Sequence, residues 1–248
     1  MMLISKSKRV RRTGPDFVPQ SDPFRPVRIR PAVEPDPGRA RLRARSALVS
    51  EVVVLLHGFG ARPLMMRGIE RKLRQNRFDV INWGYASTRQ SIAFHSARLR
   101  DALVGCRLVV DYGRVHLVGY SMGAIIARHA VASHADFPPG RIVLLAAPNQ
   151  GTHVARTAAR VIGRFCPTLN DLSDARFSTA NVIHTPRDRE IGVIAAKNDW
   201  VVPLSHTHLA DQRDHIVVPG DHLRLPLLRE TSRQVVKFLQ NGSFSRAS

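Results

Sequence analysis

Gly119-Tyr120-Ser121-Met122-Gly123 follows a short run rich in Val and Leu and opens an apolar stretch of helical spacing. A serine on a tight strand-to-helix turn takes a strained backbone that only small neighbours allow. Gly119 and Gly123 therefore make room while Oγ of Ser121 projects from the carboxyl edge of the strand. The same turn aims the Met122 backbone N–H, at the start of the following helix, where an oxyanion would form. Gly-x-Ser-x-Gly arises often by chance, so the strand before it and the helix after it are what mark Ser121 as a candidate nucleophile.

Serine is inert at neutral pH unless a base takes its proton, and that base must be held in one tautomer by a buried acid. Asp199 lies four residues beyond the apolar run 191–195, in Lys197-Asn198-Asp199-Trp200, where a turn would bring it to the carboxyl edge. His222 follows the last apolar run, 215–218, in Pro219-Gly220-Asp221-His222, ahead of a closing helix. These are the expected acid and base. The rivals fit less well: His206 and His208 fall on a short helix after Pro203, His215 lies in a strand, and His184 lies in a long connection. Asp221 adjoins the base too closely to receive its Nδ1–H, and Asp171 and Asp174 belong to the same connection as His184.

His57-Gly58-Phe59-Gly60 ends the first strong strand, 52–56. Gly58 lets the backbone curl toward the serine, and the Phe59 N–H is the expected second oxyanion donor. His57 is expected to shape that loop through hydrogen bonds and not to act as the base. No dinucleotide fingerprint follows, because Pro63 occupies the place of the third glycine. No metal site is expected, since His206 and His208 come without a third ligand nearby, and a serine mechanism calls for no cofactor.

These residues need strands to carry them. Short runs of Val, Ile and Leu at 52–56, 79–83, 115–118, 142–146, 191–195 and 215–218 alternate with amphipathic stretches at 62–76, 91–112, 122–134 and 223–240. That alternation predicts an α/β fold, with a doubly wound, mostly parallel sheet of about six strands. The segment 148–189 breaks the rhythm. It is too long for a plain connection and contains a helical piece at 153–165, so an insertion over one end of the sheet is expected.

With 248 residues, 44% of them hydrophobic, the chain has material for one substantial core, and disorder throughout is excluded. Cys106 and Cys166 form neither a disulfide framework nor a zinc motif. The charge is uneven: 38 basic against 19 acidic residues give +19, and residues 1–46 hold 12 basic and four acidic ones. That Pro- and Arg-rich arm is read as extended or disordered, with the globular domain at 47–248. The arm is a candidate for weak contact with anionic membrane or nucleic acid, and no obligate partner is expected. No apolar run is long enough for a transmembrane helix or a secretory signal, so a cytoplasmic protein, peripheral to a membrane at most, is expected.

Over about residues 48–240 the chain resembles the α/β-hydrolase superfamily, which uses the order nucleophile, acid, base found in Ser121, Asp199 and His222. Within it, the chain is similar to bacterial lipases and esterases, in which three motifs recur together. Here they read His57-Gly58-Phe59, Gly119-Tyr120-Ser121-Met122-Gly123 and Ala147-Pro148-Asn149-Gln150-Gly151-Thr152. The resemblance implies a carboxylic-ester hydrolase acting on a small ester or lipid through an acyl-enzyme, with the segment 148–189 as a small lid. An acyltransferase or thioesterase on the same scaffold is the alternative.

Overall fold

The computed structural model describes residues 51–105, 112–134, 137–138, 140–184 and 188–246. The arm 1–46 and Cys106 lie outside the described residues. Six strands form one parallel sheet: β1 (Glu51–Leu56), β2 (Asp79–Trp83), β3 (Arg114–Tyr120), β4 (Ile142–Leu145), β5 (Ile191–Ala196) and β6 (Asp214–Val218), in the order β2-β1-β3-β4-β5-β6.

The four inner strands β1, β3, β4 and β5 are buried on both faces almost throughout, which is why they read as apolar runs, whereas the edge strands β2 and β6 are only partly buried. Along β1, Val52, Val54 and Leu56 enter one core while Val53 and Leu55 enter the other, following the two-residue period of a strand. The first core is closed by α2 (Ile92–Gly105), through Ile92, Leu99 and Leu103, and by α3 (Met122–Ser133), through Met122, Ile125 and Ile126. The second is closed by α1 (Arg67–Gln75), through Ile69 and Leu73, and by α7 (Arg229–Asn241), through Val235, Val236 and Leu239.

From β1 the chain steps outward to β2 and then returns past β1 to β3. The crossovers therefore diverge between β1 and β3, and such a divergence opens a cleft at the carboxyl ends of the strands. The loop after β1 carries His57 to Gly60 and the turn after β3 carries Ser121, so both motifs meet at this cleft.

Several boundaries differ from the sequence expectation. The stretch 62–76 begins as a 3-10 turn, Pro63–Met66, and becomes α-helical only at Arg67. The helix expected over 91–112 is described as far as Gly105, and residues 106–111 lie outside the described residues. The helix expected from 223 starts at Arg229: Pro226 lies in the 3-10 turn Leu225–Leu227, and Leu228 is extended at φ −71° and ψ 137°. β3 runs on to Tyr120 because Leu56 and Leu145 pair with Gly119 and Tyr120. β4 stops at Leu145, since Ala146 turns to φ +44°.

Between β4 and β5 the chain folds into α4 (His153–Ile162), α5 (Pro167–Asp171) and α6 (Thr179–Val182). α4 ends three residues before the expected 165, where Gly163 caps it by donating to Ala159 O. Thr152 anchors its start by donating Oγ1 to Val201 O, beyond β5. Past its end, Cys166 Sγ donates to Thr88 O, beyond β2, at 3.0 Å. The ten residues of α4 span about 15 Å, which carries the chain over the ends of the strands between β5 and β2. Among the described residues no helix is long and apolar enough to cross a membrane.

Candidate active site

Ser121 sits between β3 and α3 at φ 52° and ψ −117°, a conformation that costs a non-glycine residue about 1–3 kcal/mol. The flanking glycines are required by contact. A Cβ on Gly119 would lie 2.5 Å from the backbone of Ala124, and one on Gly123 would lie 2.3 Å from Leu56 O. The helix thus starts directly against the end of β1, and that proximity places the serine beside the His57 loop. Gly58 is confined by side chains, because a Cβ there would meet the Tyr120 ring at 2.9 Å and Ser121 Cβ at 3.3 Å.

Ser121, His222 and Asp199 form one hydrogen-bonded chain. His222 Nε2 lies 3.1 Å from Ser121 Oγ, and Nδ1 lies 2.7 Å from Asp199 Oδ2. The other oxygen, Asp199 Oδ1, accepts the backbone N–H groups of Val201 at 2.9 Å and Val202 at 2.8 Å. The carboxylate only accepts, so Nδ1 carries the proton and Nε2 presents its lone pair to the serine hydroxyl. The Asp199 side chain is 2% exposed and that of His222 6%, so water competes little for this alignment. Tyr120 holds His222 from its other side: its hydroxyl donates to His222 O at 3.1 Å and its ring lies 5.4 Å from the imidazole. Burial raises the Tyr120 phenol well above its ordinary value, so it stays a neutral donor.

The Phe59 and Met122 backbone N–H groups have no acceptor among the described residues. The Phe59 loop is held from both ends. Gly60 N–H donates to Ser87 Oγ at 2.9 Å, and the Tyr85 hydroxyl donates to His57 O. His57 is fully buried and stacks on Tyr85 at 4.2 Å, with Nδ1 2.9 Å from Gly58 O. Burial lowers its pKa, which keeps the ring neutral, and while Nδ1 bonds within the loop, Nε2 accepts Tyr85 N–H at 3.5 Å.

The rival residues are engaged elsewhere. His206 Nδ1 meets Gly151 O at 2.9 Å, His208 and His215 stack at 4.1 Å, and His184 is exposed. Asp221 accepts Arg224 N–H, Asp171 accepts Ile92 N–H, and Asp174 pairs with Arg156.

Two contributions escaped the sequence reading. Tyr120 is the variable residue of its motif, so nothing in the pattern gave it a role. Arg128 lies on α3, 2% exposed, and no carboxylate pairs with it among the described residues. Its guanidinium donates to Asn149 O and Oδ1, to Ala180 O and to Ile183 O. Asn149 in turn donates to Thr207 O at 2.6 Å. The stretch Ala147 to Thr152 is therefore a junction tying the helix after Ser121 to the β4–β5 excursion and to the residues after Asp199. Gly151, at φ +70°, permits it, since a Cβ there would lie 2.1 Å from Ser173 O. A lone arginine in an apolar helical stretch carries no sequence signal that distinguishes burial from solvation.

A doubly wound parallel sheet with a serine on a strained turn after its third strand defines a class of hydrolases. A family model described as the alpha/beta hydrolase family matches residues 53–238, and the chain belongs to that family. Compared with curated proteins by sequence, it matches none significantly. Among solved structures it is similar to the Bacillus licheniformis lipase BlEst2 in mature form, at 16% identity and TM-score 0.63, over 86% of this chain and 95% of that one. It is also similar to a Paleococcus ferrophilus monoacylglycerol lipase, at 14% identity and TM-score 0.58, over 77% and 95%. A third similar structure is the RedJ thioesterase of the Streptomyces coelicolor prodiginine pathway, at 18% identity and TM-score 0.56, over 79% and 87%.

Proposed function

We propose that the protein is a carboxylic-ester hydrolase working through a Ser-His-Asp triad. The observation that carries this reading is the hydrogen-bonded chain Ser121 Oγ, His222 Nε2, His222 Nδ1, Asp199 Oδ2, with two unbonded backbone N–H groups beside it. Ser121 Oγ attacks the ester carbonyl carbon while its proton passes to His222 Nε2. The Phe59 and Met122 N–H groups receive the negative charge that develops on the carbonyl oxygen. Collapse breaks the ester bond and His222 returns the proton to the leaving alcohol. A water molecule then attacks the acyl-enzyme, with His222 taking its proton, and releases the acid and the free serine. Asp199 stays ionised throughout and stabilises the imidazolium formed twice in the cycle.

Apolar substrates suit the surroundings. Phe59, Trp200 and Leu223 adjoin the oxyanion loop, the acid and the base in sequence, and they are 37%, 63% and 53% exposed. On this reading α4 to α6 serve as a cap over the acyl group. The test is turnover of p-nitrophenyl esters of increasing acyl length by the wild type and by Ser121→Ala. Loss of turnover in the variant is expected, and unchanged turnover would overturn the proposal. A thioesterase or acyltransferase is the second reading, favoured by the likeness to the RedJ thioesterase. It requires a thioester as the better acyl donor, or an added alcohol or amine that outcompetes water for the acyl-enzyme.

A further inference from the structure

We propose that the end of α4, together with the loop after β2, is a docking surface for anionic lipid bilayers. Val161, Ile162 and Phe165 cluster within five residues at 81%, 47% and 81% exposure. A helix end that faced only water would not be expected to present three large apolar side chains together. Arg160 and Arg164, both exposed, alternate with them. Among the described residues the ion pair in this stretch is Arg156 with Asp174, which leaves Arg160 and Arg164 without an acidic partner.

The neighbouring surface has the same character. Cys166 Sγ donates to Thr88 O and Thr168 Oγ1 donates to Gln90 O at 2.5 Å, which brings exposed Arg89 and the 38% exposed Phe94 to this end of the molecule. Residues 84–99 and 153–170 together contain five arginines and not one Asp or Glu.

Three protruding apolar side chains are too few for a stable protein interface, which takes about 800 Å² from each partner. Nucleic acid would pair with the arginines but gain nothing from Val161, Ile162 and Phe165. A bilayer with anionic headgroups matches both, since apolar side chains enter the acyl boundary while guanidinium groups stay at the phosphates. This surface uses none of the residues of the basic arm and does not depend on ester hydrolysis.

The test is sedimentation of the full chain with phosphatidylcholine vesicles, with and without phosphatidylglycerol. The variants are Arg160→Gln/Arg164→Gln and Val161→Ser/Phe165→Ser, and the arm is identical in all three proteins. Each cation at an anionic surface strengthens partition about five-fold, so the double arginine variant is expected to bind about 25-fold more weakly, and the apolar variant is also expected to weaken. In a separate Phe165→Trp protein, emission measured against the wild type is expected to shift blue on the anionic vesicles and to be quenched by brominated phospholipid. Unchanged far-UV circular dichroism and thermal melting would show that the variants fold. Wild-type binding by both double variants would assign the contact to the arm and overturn the proposal. So would an unshifted, unquenched emission from the Phe165→Trp protein, or equal binding to vesicles lacking phosphatidylglycerol.

Discussion

Replacing Asp199 by Asn tests whether the carboxylate acts through the tautomer of His222 or only through packing. Asp199 Oδ1 accepts two backbone N–H groups, from Val201 and Val202. An asparagine must keep its carbonyl oxygen there, because turning its NH₂ toward two donors would leave both unpaired, at about 1–3 kcal/mol each. The NH₂ is thereby forced to face His222 Nδ1 and donates to it. The imidazole then carries its proton on Nε2, pointing at Ser121 Oγ, and cannot accept the serine proton. The geometry is otherwise unchanged, so KM and thermal stability should stay near wild type. A wrong tautomer in a triad of this kind lowers kcat by about 10⁴, equivalent to about 5.4 kcal/mol in the barrier. Steady-state kinetics on a p-nitrophenyl ester, with the acylation burst followed by stopped flow, separates this from a defect in deacylation alone. A variant within tenfold of wild-type kcat would refute the reasoning.

Other expected outcomes follow from the packing and the buried charges. Gly123→Ala places a Cβ 2.3 Å from Leu56 O, and separating helix from strand should cost at least the roughly 1–3 kcal/mol of an overpacked core, read as a lower midpoint in urea. Arg128→Met strips the donor from four carbonyl-type acceptors. The loss should be about 3 kcal/mol, or a fall of about 6–12 °C in Tm by calorimetry. Burial holds His95, His116 and His215 at about 4, below their ordinary value of 6.5. The unfolded chain therefore binds more protons between these values, so stability is full above pH 6.5 and falls as the pH drops toward 4. His116→Gln should reduce the slope of unfolding free energy against pH in that window by about 1.4 kcal/mol per pH unit. An unchanged slope would contradict the assignment.

Much of this arrangement was legible because its constraints are local. The inner strands stand out as runs of Val, Ile and Leu because a doubly buried strand leaves no polar alternation. The glycines beside Ser121 are visible because the turn tolerates nothing larger. Asp199 and His222 are candidates by their position after strands, and in the structure His222 lies within hydrogen-bond distance of both Ser121 and Asp199. What was not legible depends on contacts far apart in the chain. Tyr85 holds the His57 loop across 28 residues, and Arg128 reaches Ile183 across 55. Neither residue has a pattern around it, since a lone tyrosine or arginine reads the same whether solvated or buried. The start of the last helix was misplaced for a different reason: the apolar spacing continues through Leu225 and Leu228, yet Pro226 and the extended Leu228 delay the helix to Arg229.

Labelling with a fluorophosphonate tests most directly whether Ser121 is an activated nucleophile, because the probe phosphonylates serine hydroxyls activated in this way and does not depend on the natural substrate. The modified peptide is identified by mass spectrometry in the wild type and in Ser121→Ala. Modification of the wild type at Ser121, absent from the variant and strongly slowed in Asp199→Asn, is the result expected from the hydrogen-bonded chain through His222. Folded wild-type protein that stays unlabelled, or that is labelled at another residue, would contradict it.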